Sequence, residues 1–507
     1  MTRSSALILR AGRFRLIALP FLLGALSVLG FAPFYLYFVP VLTLALLFHL
    51  WLHAGSKRAA FAIGLMFGLG LFGVGASWVY VSLHDYGLMP MPLALLATLL
   101  FCGFLALFPA LAGVLQAVLK GAPAWRLLAV MPACWVLYEW TLGWIFTGFP
   151  WLTLGYTQAP SGPLAGYAPL LGVYGVSLLL ALSAGLIALT YNTWRHASRR
   201  AWLTMSGLLV LWLAGFGLQT VAWTQPIGAP LSVSLLQGNI AQDLKWREDR
   251  LRSTLDTYRE LVLASKSQLI ILPETALPLF YDNVPPAYLE ELARHARYNG
   301  GDLILGLPER DFVQRTYYNS VLSLGTAPTQ FYRKQHLVPF GEFIPLKPIF
   351  GGIIAMMQIP LTDFARGAPT QQPLAVAGQQ VAMNICYEDV FGEEIIRQLP
   401  QATLLANVSN DAWFGDSIAP HQHLQISQMR ALESGRYMLR ATNTGVTAII
   451  NEKGRVLRQA PVFQTVALHG TAQGMRGATP YVRWGNAPFL VLVGGLLILA
   501  GVLRQRM

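Results

Sequence analysis

The chain has 507 residues, 54% of them hydrophobic and only 12% charged, with a mean hydropathy of +0.49. A composition this apolar excludes an ordinary soluble globular protein: much of the chain has lipid as its solvent, and the length fits two or three domains. The formal net charge of +12 does not mark a nucleic-acid binder, because the basic residues of the first 222 positions fall in short clusters between apolar runs, with no interleaved basic and aromatic surface.

In chain order, hydrophobic spans are predicted near 14–31, 34–54, 59–83, 91–119, 124–142, 167–193 and 201–222, with an eighth near 487–503. Each can cross a hydrocarbon core of about 30 Å at about 1.5 Å per residue. Pro20, Pro33 and Pro40 stand where they would bend or break the first two. Basic clusters (Arg3, Arg10, Arg13 and Arg15; Lys57 and Arg58; Lys120 and Arg126; Arg195, Arg199 and Arg200; Arg504 and Arg506) alternate with loops around 84–90 and 143–166 that contain no Lys or Arg. Basic loops stay inside, so both termini are expected in the cytoplasm and residues 223–486 outside it. A cleaved signal peptide at the first apolar run would break this alternation, and no small-residue cleavage motif precedes the second run. The only acid that looks buried within a span is Glu139, expected near an interface.

From about 228 the pattern changes to short strands alternating with amphipathic helices. Strands are predicted over 231–237, 268–273, 301–308, 318–324, 380–386, 402–409 and 445–451, the last turning through Glu452, Lys453 and Gly454 into a hairpin. Helices fit 248–266, 287–298, 391–398 and 421–436. The expected organisation is a transmembrane domain over 1–222 with about seven helices, an extracytoplasmic α/β domain over 223–486, and a terminal helix with a short tail over 487–507.

Within this domain QVAMNICYEDV places Cys386 at the end of an apolar strand, directly before Tyr387, Glu388 and Asp389. The other two cysteines, Cys102 and Cys134, lie in hydrophobic runs, so Cys386 has no evident disulfide partner in its own domain. A lone thiol outside the cytoplasm favours a catalytic role over a structural one. LIILPETALP puts Glu274 just past another buried strand, and FYRKQHLVPFGEF puts Lys334 before Glu342. A carboxylate can take a thiol proton and an ammonium can hold a developing oxyanion. Taken singly, each has a plainer reading: a buried cysteine as a small hydrophobe, Glu274 as a helix cap, Lys334 as a solvated cation. All three, however, sit at strand ends of one α/β domain, where open sheets build their sites.

ILPE, RKQHLVPFGE and NICYED, in that order, resemble the Glu-Lys-Cys signature of the nitrilase superfamily. QGNIAQDLKW, HLVPFGEFIP and VSNDAWFGDS, with membrane helices on both sides, are similar to its membrane-embedded branch, the apolipoprotein N-acyltransferases. The resemblance implies a four-layer α-β-β-α sandwich, which periodicity alone does not choose. It implies Cys386 as nucleophile, Glu274 as general base and acid, Lys334 as oxyanion stabiliser, and Glu342, Glu388 and Tyr387 in support. It also implies binding roles for Trp246, Asn319, Trp413 and Trp151. The donor it implies is a phospholipid, typically phosphatidylethanolamine giving its sn-1 chain; the acceptor is the α-amine of an N-terminal diacylglyceryl-cysteine on a bacterial lipoprotein. The expected setting is the bacterial inner membrane, with a monomer that uses neither cofactor nor metal.

Two segments remain open. Residues 349–361 are apolar and too short to span a bilayer, and read either as buried core or as a lid touching lipid. His421 and His423 in PHQHL read as solvated or capping residues at a helix start. Two other functional classes also fit parts of the chain: a membrane-anchored amidase passing the acyl group to water, and a transporter, which would explain the helices but not the triad.

Overall fold

The computed structural model describes residues 14–194, 198–345 and 363–505. The chain forms two compact units, one of Met1–Tyr80, Pro92–Val221 and Trp484–Met507, the other of Val81–Met91 and Ala222–Arg483. The predicted lid over 349–361 lies outside the described residues.

In the first unit the apolar runs are helical. Among the described residues five helices are long and apolar enough to cross a membrane: Lys57–Gly75, Met91–Val118, Ala165–Thr193, Arg199–Leu218 and Ala487–Arg504. Leu16–Gly30 and Phe38–Leu52 are apolar but shorter. The run expected near 124–142 consists of three abutting helical pieces, Pro123–Trp125, Arg126–Val130 and Met131–Leu142. The span read as 59–83 stops at Gly75, and the chain resumes as the short turns Val79–Val81 and Ser82–Tyr86.

Close helix contacts depend on missing side chains. A Cβ on Gly64 would sit 2.4 Å from the Pro109 carbonyl oxygen, and one on Gly70 would sit 2.0 Å from that of Phe21. Small residues let helices approach where lipid supplies no hydrophobic drive. Outward, the unit presents large apolar side chains: Leu99 is 69% exposed, Val210 65% and Val491 76%. Such a surface suits hydrocarbon rather than water. The stretch 143–166, read as a loop, is largely buried and made of helical turns. Glu139 is buried inside the unit. Its carboxylate accepts from Trp135 Nε1 and the Leu154 N–H, both at 2.9 Å, and from the Ser177 hydroxyl, which ties the 150s stretch to two helices.

The second unit carries fourteen described strands: β1 (Gln225–Pro226), β2 (Leu231–Gln237), β3 (Leu269–Ile271), β4 (Asp302–Asp311), β5 (Thr316–Gly325), β6 (Gln330–Arg333), β7 (Leu374–Val376), β8 (Gln379–Ile385), β9 (Leu404–Ser409), β10 (Met438–Thr442), β11 (Ala448–Ile450), β12 (Val456–Gln459), β13 (Val466–Ala472) and β14 (Met475–Arg476). Twelve of them form two six-stranded sheets, ordered β13-β2-β3-β4-β5-β6 and β12-β11-β10-β9-β8-β7. β2, β3 and β4 run parallel, as do β8, β9 and β10.

Side-chain alternation builds the layers. Leu231, Val233 and Leu235 of β2 face Leu404, Ala406 and Val408 of β9 in one core between the sheets. From the same strands Leu236 packs outward with Tyr258 and Val262 of helix Glu248–Ala264, and Leu405 with Leu424 and Ala431 of helix Ala419–Ser434. A period of two on each strand, covered by a helix on each outer face, gives the four-layer α-β-β-α sandwich. Each fully buried aliphatic side chain contributes about 1.5–3 kcal/mol to it. The carboxyl ends of β3 and β8, drawn from different sheets, carry Glu274 and Cys386.

Candidate active site

Cys386 opens the turn Cys386–Val390 with φ 53°, a left-handed conformation that a non-glycine residue adopts only where its surroundings enforce it. The turn carries the Cys386 thiol off the end of β8. Glu388 anchors it from within: one carboxylate oxygen accepts the Ile385 N–H at 2.7 Å and the Tyr332 hydroxyl at 3.0 Å, the other the N–H groups of Gln335 and His336 at 2.6 and 3.1 Å. Glu388 therefore joins the Cys386 turn to the segment just after Lys334. Burial pushes its carboxyl up to about 7 despite these donors. Tyr387 is buried with its ring against Phe391 and His336.

Glu274, beyond β3, and Lys334, beyond β6, meet in an almost solvent-free cluster. Lys334 Nζ is 3.2 Å from Glu274 Oε1 and 2.9 Å from Glu342 Oε1, with its side chain 1% exposed. Asn319, on β5, donates from Nδ2 to both carboxylates, at 2.7 Å to Glu274 and 2.9 Å to Glu342. The other Glu274 oxygen accepts the Asn410 N–H at 2.9 Å, and the other Glu342 oxygen accepts that of Val338 at 2.9 Å. Every oxygen of the two acids is thus held by a donor.

Electrostatics fix the resting protonation states. Burial alone would raise the Glu274 carboxyl, but Lys334, the Asn319 amide and Lys245 outweigh it and hold it below its ordinary value. Burial alone would lower the Lys334 ammonium, yet Glu274, Glu342 and Cys386 keep it above its usual range. At Cys386, burial first and the Glu274 carboxylate second push the thiol well up, against the pull of Lys334. These directions describe a neutral thiol, an ionised acid and a cation, a set through which a proton can pass from sulfur to carboxylate. Cys386 itself keeps partial exposure.

The remaining expected residues divide. Trp246 is half-buried in the turn after β2, and Trp413 half-buried in the turn Asp411–Phe414. The Trp413 carbonyl accepts the Ser82 hydroxyl at 2.8 Å, and Gly415, at φ +53°, leaves room for Val81 and Tyr86. The segment 81–91 thus packs on the Trp413 turn, which its position between two apolar runs did not suggest. Trp151 belongs to the helical unit, where it is buried against Trp78 and Phe149.

Several charged residues here escaped the sequence reading. Lys245 is buried, its Nζ 3.2 Å from the main-chain oxygen of Glu274, and burial pulls its ammonium down to about 8. In a polar turn it reads as one more solvated lysine. His423, expected to be solvated or capping, is 1% exposed. Its Nε2 lies 2.8 Å from Asp389 and its Nδ1 3.0 Å from Asp411; Arg440, wholly buried on β10, contacts both acids at 3.3 and 2.8 Å. Burial and Arg440 would lower the imidazole, but the two aspartates hold it up to about 8. A charged residue inside the apolar strand MLRAT was the one available signal of this network.

Among the described residues no cluster of His, Cys, Asp or Glu is arranged to hold a metal.

The description of the apolipoprotein N-acyltransferase N-terminal domain matches residues 23–186, and that of the carbon-nitrogen hydrolase domain matches residues 232–481. Over 492 residues the chain is 59% identical to an apolipoprotein N-acyltransferase of Nitrosomonas europaea, covering 97% of this chain and 98% of that one. It is 47% identical over 485 residues to one from Methylococcus capsulatus, covering 95% of each. Among solved structures, an amidase from Nesterenkonia sp. matches 52% of this chain and 97% of its own, at 19% identity and a TM-score of 0.36. Identity at this level along nearly the entire chain covers the helical unit and the sandwich together, and the chain belongs to the apolipoprotein N-acyltransferase family of acyltransferases.

Proposed function

We propose that this acyltransferase works through a thioester on Cys386, taking a fatty acyl chain from a phospholipid and delivering it to the α-amine of an N-terminal diacylglyceryl-cysteine. The observation that carries the reading is the convergence of Glu274 and Lys334, from separate strands, into one buried pair that acts electrostatically on a thiol held in a left-handed turn.

In the first half-reaction Glu274 accepts the thiol proton as the sulfur attacks the ester carbonyl of the sn-1 chain, with phosphatidylethanolamine as the typical donor. The S–C bond forms, and the oxyanion is met by the Lys334 ammonium and the Tyr387 N–H. The C–O bond then breaks, Glu274 returns the proton to the leaving oxygen, and lysophospholipid departs. In the second half-reaction the acceptor amine attacks the thioester, Glu274 takes its proton, collapse breaks the C–S bond to give the amide, and Glu274 returns that proton to the departing sulfur to restore the thiol. Glu342 and Asn319 position Lys334 and Glu274, and Glu388 holds the nucleophile turn. Trp246, Trp413 and Trp151 contribute to substrate binding. The site is reached from the periplasmic side of the bacterial inner membrane, and the working unit is a monomer.

The test separates transfer to an amine from transfer to water. Phospholipid alone should release lysophospholipid in a burst of no more than one equivalent per enzyme and then stop; a diacylglyceryl-cysteine peptide should discharge the acyl group as an amide. Steady release of free fatty acid without any amine contradicts the reading and favours a hydrolase. Orientation is tested with a membrane-impermeant thiol reagent on intact spheroplasts: Cys386 should be labelled, and protection until the membrane is opened, with a denatured control reactive, reverses the topology.

A further inference from the structure

Two donors grip the main-chain oxygen of the nucleophile itself. Asn407, on β9, donates from Nδ2 to the Cys386 carbonyl at 3.0 Å, and His423 places Nε2 3.2 Å from the same oxygen. The Asn407 amide cannot be turned around, because Arg440 Nη1 donates to its Oδ1 at 2.7 Å; its Nδ2 also reaches Asn384 Oδ1 at 2.6 Å. His423 Nε2 lies 2.8 Å from Asp389 Oδ1 as well. Both neighbours of Nε2 are acceptors, whereas Nδ1 has the Arg440 Nη2 donor at 2.7 Å beside Asp411 at 3.0 Å, so the neutral ring carries its hydrogen on Nε2, shared between the two acceptors.

Behind these two donors the support is continuous. Arg440 contacts Asp389 and Asp411, and the Ser427 hydroxyl donates to Asp389. The Ser409 hydroxyl donates to Asp411 at 2.7 Å. Asn407, His423, Arg440, Asp389 and Asp411 are each at most 1% exposed.

The carbonyl of Cys386 and the N–H of Tyr387 belong to one planar trans peptide group, so they point in opposite directions. Whatever fixes the oxygen aims the N–H. We infer that Asn407 and His423 are positioning residues of the oxyanion hole: by pinning the Cys386 carbonyl on the buried side, they turn the Tyr387 N–H toward the place where the substrate oxygen becomes negative. The same grip holds the left-handed backbone of Cys386, which has no glycine to relieve it. This inference rests on the thioester reading above, and it assigns neither residue any contact with substrate.

The experiment compares two reactions of the same sulfur. Acylation by phospholipid passes through an oxyanion, whereas alkylation by iodoacetamide is a displacement at carbon that needs none. Both are followed in the full-length detergent-solubilised enzyme by mass spectrometry of the Cys386 peptide. Asn407→Ala removes the donor from β9. His423→Asn keeps a donor where Nδ1 stands and loses the one at Nε2, while His423→Gln keeps the Nε2-like donor. Asn407→Ala and His423→Asn should slow acylation about tenfold or more and leave alkylation at the wild-type rate, and His423→Gln should recover most of the acylation. The two sites lie on different elements, so a failure of either variant to fold leaves the other to decide. Unchanged acylation in a folded variant, or an equal loss in both reactions, overturns the inference. Wild-type enzyme that transfers acyl groups without any adduct on Cys386 overturns the thioester reading and this inference together, and is told apart from the variant result by the wild-type arm alone.

Discussion

Two buried ionic clusters flank one sulfur, and they are built to opposite ends. In front, Glu274, Lys334, Glu342 and Lys245 come from segments just beyond strands, and their contacts leave a cation and a carboxylate acting directly on the thiol. Behind, Asp389, Asp411, Arg440 and His423 sit inside the turns, strand and helix that carry the sheet; His423 reaches the main-chain oxygen of Cys386, and Asp411 adds a lesser upward push on its thiol after Glu274. Buried charge is expensive to desolvate, so neither cluster is explained by stability alone. The front cluster bears on the charge state of the thiol, and the rear one contacts the left-handed backbone beneath it.

The sharpest break in this comparison comes from the front cluster. Cys386→Ala should abolish acyl-enzyme formation, and Glu274→Gln and Lys334→Ala should each slow it by about 10²- to 10⁴-fold. Cys386→Ala should melt near wild type, whereas Lys334→Ala, which leaves Glu274 and Glu342 buried without their cation, should also lower the unfolding midpoint. Arg440→Met should lower stability in the same way without removing any group of the front cluster. It leaves Asp389 and Asp411 without their guanidinium, at a cost of about 3–5 kcal/mol, read as a large drop in the unfolding midpoint of the purified enzyme.

A smaller effect distinguishes the clusters by pH. His423 is held up from 6.5 to about 8. A raised folded value adds stability that is fully present below pH 6.5 and is lost as pH rises through 8, on the order of 2 kcal/mol in all. His423→Gln should therefore flatten the stability profile between pH 6.5 and 8. Lys245, pulled down from 10.5 to about 8, has the opposite sign in the next window: its burial penalty is relieved between pH 8 and 10.5. A wild-type minus variant difference that shows no change between pH 6.5 and 8 removes the charged imidazole from the account.

The smallest expected effect is at the Trp413 turn. Trp413→Ala should slow turnover by less than about tenfold, under about 1.4 kcal/mol in the barrier, with the fold intact. Unchanged activity toward both donor and acceptor would make Trp413 a packing residue.

Glu274 and Cys386 were legible because ILPE and NIC each end an apolar run at a polar or reactive side chain, and Lys334 because RKQHLVPFGE carries the family resemblance; Lys245, in a polar turn, was not. The rear cluster was not, because burial is not written in residue type. His423 falls on the covered face of helix Ala419–Ser434, where nearly every residue is buried and the amphipathic contrast that would mark an inside is missing. Arg440 interrupts the apolar pattern of β10, so periodicity does not mark MLRAT as a strand. β6 and β7 are only four and three residues long, too short for a period of two to register. In the helical unit, apolar runs found the helices but not their ends, since Gly75 and the three pieces of 123–142 are set by packing rather than by hydropathy.

If the acyl group rests on Cys386 between the two halves of the reaction, peptide mass spectrometry after incubation with phospholipid alone should find it there. The expected result is one fatty acyl group on the peptide carrying Cys386, released by hydroxylamine and absent from Cys386→Ala. An adduct on another residue, or full transfer activity in Cys386→Ala, would contradict it.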